Sequence, residues 1–179
     1  MLKGKKVVLR PIRKSDMKYF LKWFNDTEVI KNLVLYLPMT EVAEEKWIQD
    51  AMEKQRPVFV IEAILPNGRR KPIGNCGLHQ LREKDRVAEF GIAIGEKKFW
   101  DNGYGSEAAR LMANYGFNFL NLHKIESEAA ASNGRSIKMH LKVGFKKEGR
   151  RRRSRHIDGR YVDSIIFGLL RSSWEKKNK

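Results

Sequence analysis

Apolar residues recur along this chain with two periods, about two in some stretches and three to four in others, and the switches between them predict its elements. Val7-Val8-Leu9-Arg10 reads as a first strand. Ser15-Asp16 then starts a helix on which Met17, Phe20, Leu21 and Phe24 share a face. Thr40 is a second candidate N-cap, followed by Trp47, Ile48, Ala51 and Met52 on one face until Pro57 forbids continuation. Asn25-Asp26 through Leu37-Pro38, between the two helices, reads as irregular. Val58 to Leu65 and Pro72 to Leu81 are strand-like and joined by Pro66-Asn67-Gly68-Arg69-Arg70, a hairpin signal because Asn-Gly accepts positive φ. Val87 to Ile94 alternates, with Phe90, Ile92 and Ile94 on one face and Glu89, Gly91 and Ala93 on the other.

A helix is predicted from about Ser106 to Phe119, with Ala108, Leu111, Met112, Tyr115 and Phe119 as its apolar stripe. A strand from Lys124 to Ala129 follows, then a shorter helix from Asn133 or Ser136 to Val143, ended by Gly144. Phe145 to Arg153 and Arg160 to Leu170 form a final hairpin turning at Ile157-Asp158-Gly159. The order β-α-α-β-β-β-α-β-α-β-β belongs to a mixed α+β (α/β) class. No repeat, linker or shift in composition divides it, so a single domain over 1–179 is expected.

Composition sharpens this picture. With 41% hydrophobic and 32% charged residues the chain is globular, and no apolar run approaches a membrane span. Met1 to Lys6 lacks the apolar segment of a signal peptide, so a cytoplasmic protein without a membrane partner is expected. The lone cysteine, Cys76, sits in an apolar strand context and reads as a core residue. A net charge of +16 predicts attraction to polyanions such as RNA, acidic protein surfaces or phosphates. Its densest source is Lys146 to Arg155, read either as a solvated strand edge or as a surface for an acidic partner. Lys176-Lys177-Asn178-Lys179 reads as a solvated, frayed tail.

The chemistry concentrates after Ile94. A strand feeds Gly95 to Asn102 and then Gly103-Tyr104-Gly105-Ser106, which opens a helix. Glycines let a backbone approach an anion, and the first N–H groups of a helix lack intrahelical acceptors, so a ligand with linked phosphates is implied. The dinucleotide fingerprint G-x-G-x-x-A fits Gly103, Gly105 and Ala108, with Glu126 or Glu128 as the ribose acid. Glu96 to Asn102 intervene, however, where that fold has its glycines directly after the strand.

The segment resembles motif A of the Gcn5-related N-acetyltransferase (GNAT) superfamily, in which Q/R-x-x-G-x-G/A wraps the pyrophosphate of acetyl-coenzyme A. Here it falls on Trp100-Asp101-Asn102-Gly103-Tyr104-Gly105. Trp100 in the Gln/Arg position is similar to the RimJ/RimL type of ribosomal-protein N-acetyltransferase, with its aromatic-Trp-Gly-Lys-Gly-Tyr-Gly/Ala-Ser/Thr-Glu-Ala string. Asp101 and Asn102 depart from that string. The resemblance covers nearly the whole chain and implies the GNAT fold, a mixed sheet of about seven strands with about four helices, splayed where the fourth strand parts from the fifth. It also implies acetyl-CoA as co-substrate and no metal. The pyrophosphate would lie on Trp100, Asn102, Gly103, Tyr104, Gly105 and Ser106, and the pantetheine arm along Ile92, Ala93 and Ile94. Asn25 to Pro38 would be the substrate-facing segment.

Asn133 to Phe145 resembles the family's second signature, Asn-x-x-Ser/Ala-x-x-x-Tyr-x-Lys-x-Gly-Phe. It implies that Asn133 and Ser136 meet the cofactor arm, and Asn133 also suits an ordinary N-cap. The tyrosine acid of that signature is His140 here, a candidate proton donor or a structural histidine. Ala88-Glu89-Phe90-Gly91 resembles the position where relatives place a carboxylate near the acceptor, making Glu89 the candidate base or else a paired strand carboxylate. Tyr161 and Asp163 match the subgroup's last strand and read as architectural.

Direct transfer of acetyl to a primary amine is therefore expected. The acceptor is a protein N-terminal α-amine on the resemblance, with a polyamine, amino sugar or aminoglycoside as the alternative. A non-catalytic module that binds acetyl-CoA or RNA is the rival from another class. RNA or ribosome proximity follows from the charge, and a homodimer is compatible with the chain.

Overall fold

A computed structural model describes residues 1–178, in which eight strands and six α-helices form. The strands are β1 (Leu2–Lys3), β2 (Val7–Pro11), β3 (Val58–Ile64), β4 (Arg70–Arg82), β5 (Val87–Ile94), β6 (Lys124–Ala130), β7 (Lys146–Ile157) and β8 (Arg160–Leu170). The helices are α1 (Met17–Phe24), α2 (Thr27–Ile30), α3 (Glu41–Glu53), α4 (Tyr104–Asn118), α5 (Gly134–Val143) and α6 (Arg171–Asn178). The sheet order is β1-β2-β3-β4-β5-β6-β8-β7. Its pairs run antiparallel from β1 to β4 and from β6 to β7, and β5 with β6 is parallel. That is the mixed sheet expected, with one more strand and two more helices. No helix of the described residues is long and apolar enough to cross a membrane.

The chain divides into two compact units, one of Met1–Gly77 with Ile92–Leu111 and the other of Leu78–Gly91 with Met112–Lys179. In the first, Phe20, Trp23 and Phe24 of α1 and Ile48 and Ala51 of α3 bury with Val58 and Val60 of β3. Burial of this kind contributes about 1.5–3 kcal/mol per large side chain. Thr40 caps α3 as its sequence predicts, its hydroxyl accepting from Ala43 N at 3.2 Å. The stretch read as irregular holds α2, because the Asp26 carboxylate accepts from Glu28 N at 3.0 Å and Val29 N at 3.4 Å. A buried polar knot also forms: Arg10 grips Asp16 through both terminal nitrogens, at 2.7 and 2.6 Å, and Glu62 through Nε at 2.6 Å. Close approach needs a glycine at Gly74, where a Cβ would lie 2.1 Å from the Ala93 carbonyl oxygen.

In the second unit, β6 and β8 pair over seven positions, with Ile125, Phe167 and Leu169 buried. The β7–β8 turn places Asp158 at φ 48° and Gly159 at φ 74°, the paired positive φ of a tight hairpin. β7 is the last strand in the order, and its register shifts between Arg151 and Arg155, where Arg153 has φ 47°. This bulge breaks a strand edge that would otherwise template pairing. Part of the arginine run is spent internally: Arg150 pairs with Asp163 at 2.5 Å, while Arg151 and Arg155 both reach Glu128. The tail read as frayed is helical through Asn178, and Lys179 lies outside the described residues. Cys76 is buried, and desolvation pushes its thiol up, as suits an inert core residue.

Candidate active site

The glycine loop lies in the first unit and is held from several sides. Gly95 N and Glu96 N both donate to the Ile73 carbonyl, at 2.8 and 3.1 Å, where β5 ends. Burial would raise the Glu96 carboxyl, but Lys22 at 2.6 Å, Trp23 Nε1 at 3.1 Å and Lys71 at 3.3 Å outweigh it and hold it at about 2. Lys97 pairs with Asp26 at 2.9 Å and Glu28 at 3.0 Å. A 3₁₀ turn over Lys97–Phe99 then delivers Trp100.

Trp100 stands in the Gln/Arg position of the motif but turns its Nε1 back to the Ile94 carbonyl, 2.7 Å away. It therefore braces the loop against the end of β5. Asn102 does likewise, its side-chain amide donating to the Trp100 carbonyl at 2.8 Å. Asp101 and Gly103 have φ of 58° and 83°. The left-handed region costs an ordinary residue about 1–2 kcal/mol and suits glycine, so Gly103 is required by conformation, and Asp101 carries strain where the RimJ/RimL string has glycine.

Helix α4 starts at Tyr104, two residues earlier than its pattern suggests, because Glu107 N already bonds the Gly103 carbonyl at 3.1 Å. The N–H groups of Tyr104, Gly105 and Ser106 belong to the first turn and have no intrahelical acceptor. Gly105 has an ordinary φ, and a Cβ there would meet Ile94 at 3.8 Å and Ile92 at 3.9 Å. Its missing side chain is thus not demanded by the fold. It leaves backbone open beside β5, which is what close anion approach requires.

Two residues here make contacts that the sequence did not announce. Lys6 Nζ donates to the Asn102 carbonyl at 3.1 Å and lies 5.7 Å from the Tyr104 ring, placing a cation at the loop. Glu107 accepts from the Lys5 and Lys6 backbone N–H groups at 2.6 and 2.8 Å, which ties β2's approach to α4. Both partnerships span about a hundred residues of sequence, beyond the reach of any local pattern.

The remaining candidates lie in the second unit, Glu89 on the same strand that ends in Ile92, Ala93 and Ile94. The Glu89 side chain is half-buried and forms no hydrogen bond or ion pair among the described residues, so it is not a paired strand carboxylate. Beside it on that face of β5, Gly91 lies against His79, whose Cδ2 and Nε2 lie 3.4 Å from where a Cβ would be. Asn133 caps α5, its Oδ1 accepting from Ser136 N at 3.1 Å, which leaves its amide N–H groups for another partner.

His140 departs from the expected proton donor. It is 1% exposed, stacked on Phe167 at 4.5 Å and flanked by Phe145 and Phe90. Nδ1 lies 2.7 Å from the Ser136 carbonyl and Nε2 lies 2.8 Å from Ser127 Oγ. Burial pushes its pKa down, and the Ser136 carbonyl only partly opposes this. A donor to a departing thiolate needs an open nitrogen, and both of these are engaged.

One more buried carboxyl stands out. Glu44 of α3 is 1% exposed with Oε1 unpartnered, and desolvation pushes its pKa up to about 7. Four large apolar side chains nearby in sequence face solvent: Val34, Tyr36, Leu37 and Val42 are 80, 83, 65 and 78% exposed. No cluster of potential metal ligands occurs among the described residues.

Comparisons with known proteins bear on the family and the fold. Residues 6–146 match the acetyltransferase (GNAT) domain family. The chain is 30% identical to an uncharacterized N-acetyltransferase, p20, of Bacillus licheniformis, covering 94% of this chain and 95% of that one. It is 28% identical to the spermidine N(1)-acetyltransferase of Escherichia coli, covering 97% and 90%. The spermidine N-acetyltransferase of Vibrio cholerae, solved with CoA and spermine, shares the fold at a TM-score of 0.84 and 21% identity, covering 96% and 99%.

Proposed function

The chain belongs to the GNAT family of acetyl-CoA-dependent N-acetyltransferases, and from that premise we propose that it acetylates a primary amine borne on a largely uncharged carrier, such as a protein N-terminal α-amine. The observation that carries the acceptor class is the segment before α3. Residues 31–40 contain no carboxylate and present Val34, Tyr36 and Leu37 to solvent. Exposed apolar clusters suit a peptide or another partly apolar body better than a polycation. The net charge of +16 adds repulsion against a polyamine. The grouping with RimJ/RimL-type enzymes belongs to the same proposal, supported by Phe99-Trp100 and the Gly103-to-Ala108 string. So do RNA-rich surroundings, supported by the basic β7 edge.

In this reading, the first-turn N–H groups at Tyr104, Gly105 and Ser106 and the nearby Lys6 receive the pyrophosphate. The pantetheine arm adds to the backbone of Ile92, Ala93 and Ile94. Positioning then supplies much of the rate. Glu89, with no partner of its own, takes the amine proton directly or through water as nitrogen attacks the thioester carbonyl. The thiolate of coenzyme A is a good leaving group and collects its proton from solvent.

A second reading has a specific observation behind it. Full-length similarity to a spermidine N(1)-acetyltransferase favours a small polyamine, with Glu44 as the carboxyl that would lose its proton on meeting an ammonium. Measuring coenzyme A release against N-terminal peptides, spermidine and aminoglycosides separates the two. Turnover on spermidine alone removes the first reading, and acetyl-CoA binding without turnover on any amine removes both in favour of a non-catalytic module.

A further inference from the structure

The hydrogens around His140 can be counted. A carbonyl only accepts, so the 2.7 Å contact of Nδ1 with the Ser136 carbonyl puts a hydrogen on Nδ1. In the neutral ring Nε2 is then a bare acceptor, 2.8 Å from Ser127 Oγ. Ser127 Oγ also lies 2.9 Å from the Phe90 carbonyl. One hydroxyl hydrogen thus serves two acceptors, Nε2 and the Phe90 oxygen. With Nε2 protonated as well, each contact would have its own hydrogen, while burial among Phe90, Phe145 and Phe167 opposes that charge. In either state the serine hydroxyl is pinned between the ring and the strand.

The pinned carbonyl occupies a particular place. β5 pairs with β6 at Val87↔Lys124, Ala88↔Ile125 and Glu89↔Glu126, and the ladder ends there. Phe90 is the next residue of β5 and Ser127 the next of β6. A side-chain bond therefore takes over where backbone pairing stops.

We propose that His140 is a positioning residue: by holding the Ser127 hydroxyl between its Nε2 and the Phe90 carbonyl, it fixes the point at which β5 leaves β6. The consequence for catalysis rests on the function proposed above, because Gly91 to Ile94 is the segment assigned to the pantetheine arm. The latch itself does not depend on it.

Amide hydrogen exchange in the acetyl-CoA-free protein tests the latch. Ser127→Ala and His140→Phe should each speed exchange at Gly91 to Ile94 by about fivefold, the worth of one net hydrogen bond. The double variant should do no more than either single one, Ser127→Thr should restore slow exchange, and β2 and β3 should be unmoved. In steady state, both single variants should raise KM for acetyl-CoA with kcat and the alkaline limb of the pH profile preserved. Unchanged exchange at Gly91 to Ile94 in Ser127→Ala overturns the proposal, even where His140→Phe fails to fold. A lost alkaline limb in His140→Phe with a normal Ser127→Ala would make His140 the acid instead. Absence of turnover on every amine would count against the proposed function and leave the exchange result to decide the latch.

Discussion

The loop that opens α4 and the ring of His140 fall on the two family signatures, yet they treat hydrogen bonds in opposite ways. At the loop, side chains are spent on bracing: Trp100 on Ile94, Asn102 on Trp100, Lys6 on Asn102. The backbone N–H groups of the first turn are left over. Around His140, both ring nitrogens and the Ser127 hydroxyl are engaged, and nothing is left over. Groups that receive a ligand are the ones the fold leaves unsatisfied, and groups that hold the fold are those it satisfies. Glu89 and Glu44 belong with the loop by this criterion, and Asp16, gripped by Arg10, belongs with His140.

The sharpest way to break this division is at Glu89. If its free carboxylate is the base, Glu89→Gln should lower turnover about 10²-fold, within the usual range for general acid–base groups. The deficit should be largest at low pH, where the acceptor amine is most protonated, with acetyl-CoA affinity nearly unchanged. A pH–rate profile superimposable on the parent's would return Glu89 to structure.

Next in size is Gly105, where a Cβ would make only ordinary contacts with Ile92 and Ile94 and would stand against whatever approaches the backbone. Gly105→Val should weaken acetyl-CoA binding by about tenfold or more with little change in melting temperature, since a lost backbone contact to an anion is charge-assisted. Gly103→Val is a poorer probe, because its φ of 83° makes the substitution strain the fold itself. Calorimetry showing equal affinity in folded Gly105→Val would refute the assignment of the loop.

Glu44 gives a smaller effect with a definite sign. Its folded-state pKa of about 7 lies above the ordinary 4.5, so the folded protein holds this proton where the unfolded chain has released it. Stability from this group therefore falls as pH rises from about 4.5 through 7. Glu44→Gln removes the buried charge and should stabilise the protein by roughly 2 kcal/mol at pH 8, with little gain near pH 4. Denaturant midpoints at the two pH values measure it. Equal gains at both would mean that the buried oxygen is satisfied.

The smallest change concerns Asp101, strained at φ 58°. Asp101→Gly should raise stability by about 0.5–1 kcal/mol, relief of the left-handed backbone being partly offset by glycine's entropy. It should also leave or modestly improve acetyl-CoA affinity by removing a negative charge from the loop. Lower stability would show that the Asp101 side chain contributes more than its backbone costs.

Much of this protein was written in short-range chemistry. Thr40, Asn67-Gly68, Asp158-Gly159 and Gly144 mark helix ends and turns because capping and positive φ act within a few residues. The alternation of β5 and the glycines after it marked the strand and the start of α4 for the same reason. The misses share a cause as well. α2 follows from Asp26, a cap that an irregular hydrophobic pattern concealed, while β1 and α6 are too short or too polar to show a period. His140 read as a candidate acid because its position in a motif says nothing of what surrounds it. Only the fold decided that Ser127 of β6 and Phe167 of β8 close over that ring, that Lys6 reaches the loop, and that Arg10 finds Asp16 and Glu62. A buried polar group takes its partner from whichever strand lies beside it, and strand order is a property of the whole sheet that no local period encodes.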